Sequence, residues 1–204
     1  VVTKTVTPSP RPGNPMPRLA ELPTGAINSI GLENVGLDAF LGETLPELEA
    51  RGVPTVVSLA ATRPEEFGPM SERLQQAAAG FSHWHGVELN LSCPNVAEGG
   101  HDFGSDPGTV AACVAAARNH LPDRALLAKL TPNVTDILDP GLAAARGGAD
   151  AVSLINTVQS VMGVDLERLV PLPRVDTASS HGGYCGPAVK PVALRMVAQL
   201  AREK

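Results

Sequence analysis

Apolar residues recur along the chain in short blocks whose spacing switches between two periods, and that switching predicts the architecture. Val87, Leu89 and Leu91 alternate with Glu88, Asn90 and Ser92, the period-two spacing of a strand. Pro94 stops that strand, because it cannot donate to a sheet ladder and holds the residue before it extended. Four other apolar runs read as strands, over 1–6, 53–59, 125–130 and 150–155. Helical spacings lie between them. A broken stretch holds Leu37, Phe40, Leu41, Leu45 and Leu48, and Pro64-Glu65-Glu66 opens a helix with Phe67, Met70, Leu74 and Ala77 on one face. Asp106-Pro107 caps an Ala-rich helix reaching about His120, and Gly147-Gly148 closes a helix over 134–146. Pro187 opens the last helix, with Val189, Ala193, Val197 and Leu200 on one side. The six prolines from Pro8 to Pro23 predict a stiff surface loop with no regular element, and 157–186 reads as one long connection. Five strands alternating with helices predict an α/β fold with a parallel sheet, right-handed crossovers and strands buried on both faces.

Polar residues sit repeatedly where these strands end: Lys4, Asn90 with Cys93, Lys129 and Asn156. That edge is the catalytic face of a TIM barrel and the ligand edge of an open doubly wound sheet, and the pattern alone does not separate the two. The end of the Val87 strand presents two amides, a hydroxyl and a thiol together, from Asn90, Asn95, Ser92 and Cys93. Such a cluster suits an active site better than a structural turn.

Composition narrows the class. At 204 residues the chain reads as one domain, 43% hydrophobic and 18% charged, an ordinary globular balance. A net charge of −5 and only 3% aromatic residues argue against nucleic-acid binding. No apolar run approaches a membrane span and the start does not look like a signal peptide. Three cysteines, Cys93, Cys113 and Cys185, are few and odd in number, which fits a reducing compartment and makes the cytoplasm the expected location. His83-Trp84-His85 lacks a third ligand at sensible spacing, so no metal is expected. No dinucleotide fingerprint, P-loop or serine elbow occurs. The chain opens on Val1-Val2-Thr3-Lys4, without methionine and inside a strand pattern, and ends at Lys204 on a helical one, so both ends are expected to be cut.

Several longer segments resemble one family. Glu88-Leu-Asn-Leu-Ser-Cys-Pro-Asn95, Lys129-Leu-Thr-Pro-Asn-Val-Thr-Asp136 and Gly182-Gly-Tyr-Cys-Gly-Pro-Ala-Val-Lys-Pro191 are similar to segments of class 1 dihydroorotate dehydrogenases. So are Pro10 to Arg18 and Asn28 to Asn34, and the order is right over nearly the whole chain. The 96–107 loop looks most like class 1B, the NAD-linked subclass. The resemblance implies a TIM (β/α)8 barrel holding FMN, here incomplete, with five strands present and the first and last two missing. Residues 1–204 then form a single partial FMN-binding domain. Since the family holds the FMN phosphate with loops after those last strands, this stretch alone is expected to bind FMN weakly or not at all.

The reaction so implied oxidises dihydroorotate to orotate in pyrimidine biosynthesis, with hydride passing to flavin N5 while Cys93 removes a proton. By resemblance, Lys4, Asn28, Ile30, Gly31, Leu32, Asn90, Asn95, Asn156 and Thr157 contact substrate. Asparagines suit a planar ring carrying both N–H and C=O groups, because each amide offers a donor and an acceptor. Lys4, Asn90, Lys129, Ile155, Cys185 and Gly186 are implied at the flavin, with Lys129 near its N1/O2 edge. Cys113 reads as an inert core residue, and Gly182-Gly183 as a flexible loop. Class 1B further implies a partner subunit carrying FAD and an iron–sulfur cluster, which passes electrons to NAD, and a homodimer or heterotetramer. The alternatives are a dihydropyrimidine dehydrogenase barrel, disfavoured by Asn95 after Cys93-Pro94, and a fumarate-linked class 1A enzyme.

Overall fold

The structure, a computed structural model, describes residues 1–92, 103–161, 163–172, 174–175, 178–179 and 182–203. In chain order its strands are β1 (Leu19–Leu22), β2 (Gly25–Asn28), β3 (Thr55–Leu59), β4 (Trp84–Asn90), β5 (Ala125–Lys129), β6 (Ala151–Ser153), β7 (Val158–Ser160), β8 (Gly163–Asp165), β9 (Val170–Leu172), β10 (Arg174–Val175), β11 (Ala178–Ser179) and β12 (Gly182–Cys185). The α-helices are α1 (Gly36–Ala39), α2 (Leu45–Ala50), α3 (Phe67–Ala77), α4 (Pro107–Arg118), α5 (Leu138–Arg146) and α6 (Lys190–Leu200), with a π-helical turn, Phe40–Thr44, between the first two.

The centre is a parallel sheet in the order β3-β4-β5-β6. The amino-terminal segment joins its edge through parallel bridges Val2–Val56 and Val6–Leu59. It does not form a continuous strand, because the Thr3 hydroxyl accepts the Ser58 amide at 3.0 Å, replacing one main-chain rung. Five parallel segments therefore stand side by side in sequence order without a reversal. Among the described residues this sheet is open.

Burial on both faces, the sequence expectation, holds at Ser58, Glu88 and Asn90 of the second face, but the two faces differ in polarity. One face is apolar: Val57, Leu59, Val87, Leu89, Leu126 and Ala128 are buried in the core with Phe67, Met70, Leu74, Val110 and Val114 from α3 and α4. The other carries Ser58, Glu88, Asn90, Lys129 and Ser153, by strand alternation. That polar face is hydrogen-bonded rather than greasy. Thr5 Oγ1 and Ser58 Oγ lie 3.0 Å apart, and Ser153 Oγ donates to Glu88 Oε2 at 2.7 Å.

A second, antiparallel sheet runs β1-β2-β12-β7. Three of its strands, β1, β7 and β12, fall where regular structure was not expected. β1 occupies the proline-free window Leu19–Leu22 at the end of the 8–23 segment, and β7 to β12 all lie within 157–186. Gly182-Gly183 is likewise not a flexible loop but the start of β12, paired with β7 and, at Gly183, with Asn28 of β2.

Helix boundaries shift for identifiable reasons. β4 begins at Trp84, which is buried, donates from Nε1 to Gly86 O at 2.9 Å and stacks under the Arg124 guanidinium at 4.5 Å. α5 begins at Leu138 rather than 134, since Asp136 accepts the Leu138 amide at 3.0 Å while Asn133 is drawn into the site. The apolar face of α3 continues through Ala78, not Ala77, and α6 buries Met196 while Val197 stays 47% exposed. Asp106 caps α4 as expected, accepting from the Thr109 amide at 2.7 Å. No helix among the described residues is long and apolar enough to cross a membrane.

Glu49 ties α2 to the start of β4, accepting the Ser82 and His83 amides at 2.8 and 2.9 Å. Desolvation pulls its carboxyl upward, yet these amide bonds outweigh it and hold the pKa down at about 2. Stability from a depressed carboxyl is present above its ordinary value near 4.5 and lost as pH falls toward 2. Glu49→Gln should therefore lower the melting temperature at pH 7 and leave it nearly unchanged at pH 2, as followed by circular dichroism.

Candidate active site

A cavity of about 790 Å³ opens where the carboxyl ends of the parallel strands meet the antiparallel sheet. A smaller one of about 400 Å³ adjoins it, sharing Lys129, Asn156 and Thr157. Of the residues singled out from sequence, Lys4, Asn28, Ile30, Gly31, Leu32, Asn90, Lys129, Asn156 and Thr157 line the larger. Ile155, Cys185 and Gly186 line the smaller. Cys93 and Asn95 lie outside the described residues.

Asn90 is the hub. It ends β4, is 7% exposed, and donates from Nδ2 to Thr5 Oγ1 at 3.3 Å. Its Oδ1 accepts Nδ2 of Asn156 at 3.2 Å and the Ser92 amide at 3.3 Å. Ser92 Oγ in turn donates to Lys129 O at 3.3 Å. The ends of four parallel segments are thus joined by side chains, which fixes the amides before any ligand arrives. Asn156 turns its Oδ1 to the Thr157 amide at 2.8 Å, and Asn28 donates to Gly183 O at 3.2 Å.

The proline-rich segment is held over this edge by polar bonds. Asn34 accepts the Thr7 amide and donates to Thr7 Oγ1 and Leu32 O, while Asn14 bonds Ile30 and Ser29. Arg18 pairs with Glu33. This brings Arg11 and Asn14 into the cavity lining. No periodicity runs through the prolines to single them out, though both lie inside the Pro10–Arg18 segment.

Asn133 and Gln159 were also missed. Asn133 bridges Thr131 Oγ1 and Thr157 O at 3.0 and 3.2 Å and accepts the Gln159 amide at 2.9 Å. The signal was available, since Asn133 lies inside the Lys129–Asp136 motif just past a strand end.

Close backbone approach shapes the wall. A Cβ at Gly183 would meet Thr157 Oγ1 at 2.0 Å, so only glycine lets β12 pass there. Gly186 has φ +109, a conformation that favours glycine, and a Cβ on it would meet Gly25 Cα at 2.7 Å.

The charge balance of the cavity opposes that of the chain. Lys4, Arg11 and Lys129 line it, and no Asp or Glu stands among its described lining residues. Burial pushes the Lys129 ammonium below its ordinary value, partly offset by the Glu88 carboxylate. A half-buried cation of this kind gains from an anionic ligand. Cys113, by contrast, is buried in the core with its thiol pushed up to about 12, so it is inert. Among the described residues no group of three or more His, Cys, Asp or Glu is placed to hold a metal.

The arrangement can hold a planar ligand bearing amide-like groups and negative charge. Lys4, Arg11 and Lys129 line the larger cavity and Lys129 and Lys190 the smaller, a cationic lining that fits an anionic group beside such a ligand.

Comparison with known proteins points the same way. The profile of the family described as "Dihydroorotate dehydrogenase" matches residues 1–204. Similar proteins named "Dihydroorotate dehydrogenase B (NAD(+)), catalytic subunit" include that of Pelobacter propionicus, 45% identical over 98% of this chain and 63% of its own length. That of Geotalea daltonii is 44% identical over 99% of this chain and 63% of its own length, and that of Maridesulfovibrio salexigens 46% identical over 98% and 62%. The chain thus spans about 63% of the length of the first of these relatives.

Proposed function

The chain belongs to the dihydroorotate dehydrogenase family, and from that premise we propose that it carries the catalytic site of a class 1B enzyme oxidising dihydroorotate to orotate. The observation that carries this reading is the cavity itself. It gathers Asn28, Asn90 and Asn156 with Lys4, Arg11 and Lys129, with no carboxylate among its described lining residues, as a planar anionic pyrimidine requires. A site built to pair a ring's N–H and C=O groups rejects rings lacking them, since its buried amides would be left unpaired.

Residues 1–204 are read as one domain and as part of a TIM barrel. Five parallel segments in unbroken sequence order support a barrel wall over a doubly wound sheet, whose order reverses at its ligand site.

FMN, when bound, supplies an acceptor for a hydride. Lys4, Asn90, Lys129, Ile155, Cys185 and Gly186 would hold it, Lys129 as the cation that would stabilise the negative charge of the reduced ring. Asn28, Asn90, Asn95, Asn156 and Thr157, with the backbone of Ile30, Gly31 and Leu32, would orient substrate. Cys93 would take the C5 proton as a thiolate base. The relatives' printed name supports NAD as final acceptor and a further subunit to serve it. We assign that subunit FAD and an iron–sulfur cluster, and the catalytic subunit a homodimer or heterotetramer in the cytoplasm.

Cys93→Ala in the intact gene product is expected to slow reduction of the bound flavin by dihydroorotate at least ~10³-fold in anaerobic stopped flow, the scale of a lost general base. Orotate should still perturb the flavin spectrum with affinity within a few-fold of wild type. Undiminished reduction in that variant would remove Cys93 from the chemistry.

A further inference from the structure

We propose that Glu88 is a positioning residue, a buried carboxylate that keeps the Lys129 side chain charged where it faces the cavity. The inference rests on the functional reading only in taking Lys129 to face a bound anion.

The geometry is specific. In the parallel register Asn90 pairs with Lys129 and Glu88 with Leu127, so Glu88 sits one rung back from Lys129 on the same face. On the other side, Lys129 pairs with Ser153 of β6. The Ser153 hydroxyl donates to Glu88 Oε2 at 2.7 Å. That bond reaches from β6 to β4 across β5, so the carboxylate is held from both strands that flank Lys129.

A carboxylate here is costly. Glu88 is 8% exposed, and taking a charge out of water carries a penalty that a neutral group avoids. Glutamine would accept the same Ser153 hydrogen bond, so the hydrogen bond alone does not account for glutamate; the negative charge is what glutamine lacks. Lys129 senses that charge, which opposes the loss of its proton through burial. Lys4 from the amino-terminal segment and Arg11 from the proline-rich segment line the same cavity, but Glu88 is the charged group that acts on Lys129.

The test reads Lys129 directly and needs no turnover. Trace acylation of the intact gene product across pH, read by peptide mass spectrometry with flavin removed, gives the titration midpoint of each lysine. Glu88→Gln should lower the Lys129 midpoint by on the order of one pH unit, raising its labelling at neutral pH several-fold, with Lys190 unchanged as a control. Glu88→Leu, which removes the charge without introducing another polar group, should do the same, and Glu88→Asp should stay near wild type. An unmoved midpoint in either charge-removing variant that folds would overturn the proposal. So would failure of both to fold while Glu88→Asp folds, since the charge would then serve the fold. If the wild-type protein proves to bind no flavin, the functional reading falls, whereas the Lys129 midpoints stand or fall separately.

Discussion

Asn90→Leu is expected to abolish dihydroorotate oxidation, with flavin reduction slowed ~10³-fold or more and orotate affinity lost with it. Leucine has similar bulk but no polar atoms, so the Ser92 amide and Asn156 Nδ2 lose the acceptor they share, while Thr5 Oγ1 keeps Ser58 Oγ. An unsatisfied buried group costs about 1–3 kcal/mol, so each should lower melting by about 2–12 °C in a domain of this size. The decisive feature is disproportion. A residue serving only the fold would lose stability and activity in step, whereas here activity should vanish at temperatures where circular dichroism still reports a folded protein.

Gly183→Ala is the second large effect. The added Cβ would overlap Thr157 Oγ1 at 2.0 Å and Thr157 Cβ at 2.6 Å, and a β-branched side chain has little rotamer freedom with which to yield. Either β12 or Thr157 must move, at a cost of about 1–3 kcal/mol. Because Asn28 donates to Gly183 O, that movement also displaces a substrate-side amide. Orotate affinity, measured by flavin difference spectroscopy, should fall at least ~10-fold. Gly163→Ala has open space around its Cβ and should change neither affinity nor melting.

The parallel sheet was legible in the sequence because its strands fall on apolar runs separated by helical spacings, with clear period-two alternation over 87–92, and the strand-end residues Lys4, Asn90, Lys129 and Asn156 do line the cavity. The antiparallel sheet was not. β1, β2 and β12 are four residues each and β7 three, and none falls on an apolar run like those that mark the parallel strands. The polar face of the parallel sheet was misread for a related reason: Ser58, Glu88 and Ser153 look like isolated interruptions until pairing brings them together. Arg11 reaches the cavity through hydrogen bonds of Asn34, more than twenty residues away, a tertiary effect no local pattern announces.

The most direct test of the central claim is anaerobic titration of the intact, flavin-loaded gene product with dihydroorotate, followed by bleaching of the flavin absorption. Stoichiometric bleaching by dihydroorotate, with none by dihydrouracil, which lacks the carboxylate that the cationic lining would meet, is the predicted result. Bleaching by dihydrouracil, or no response to dihydroorotate, would contradict it.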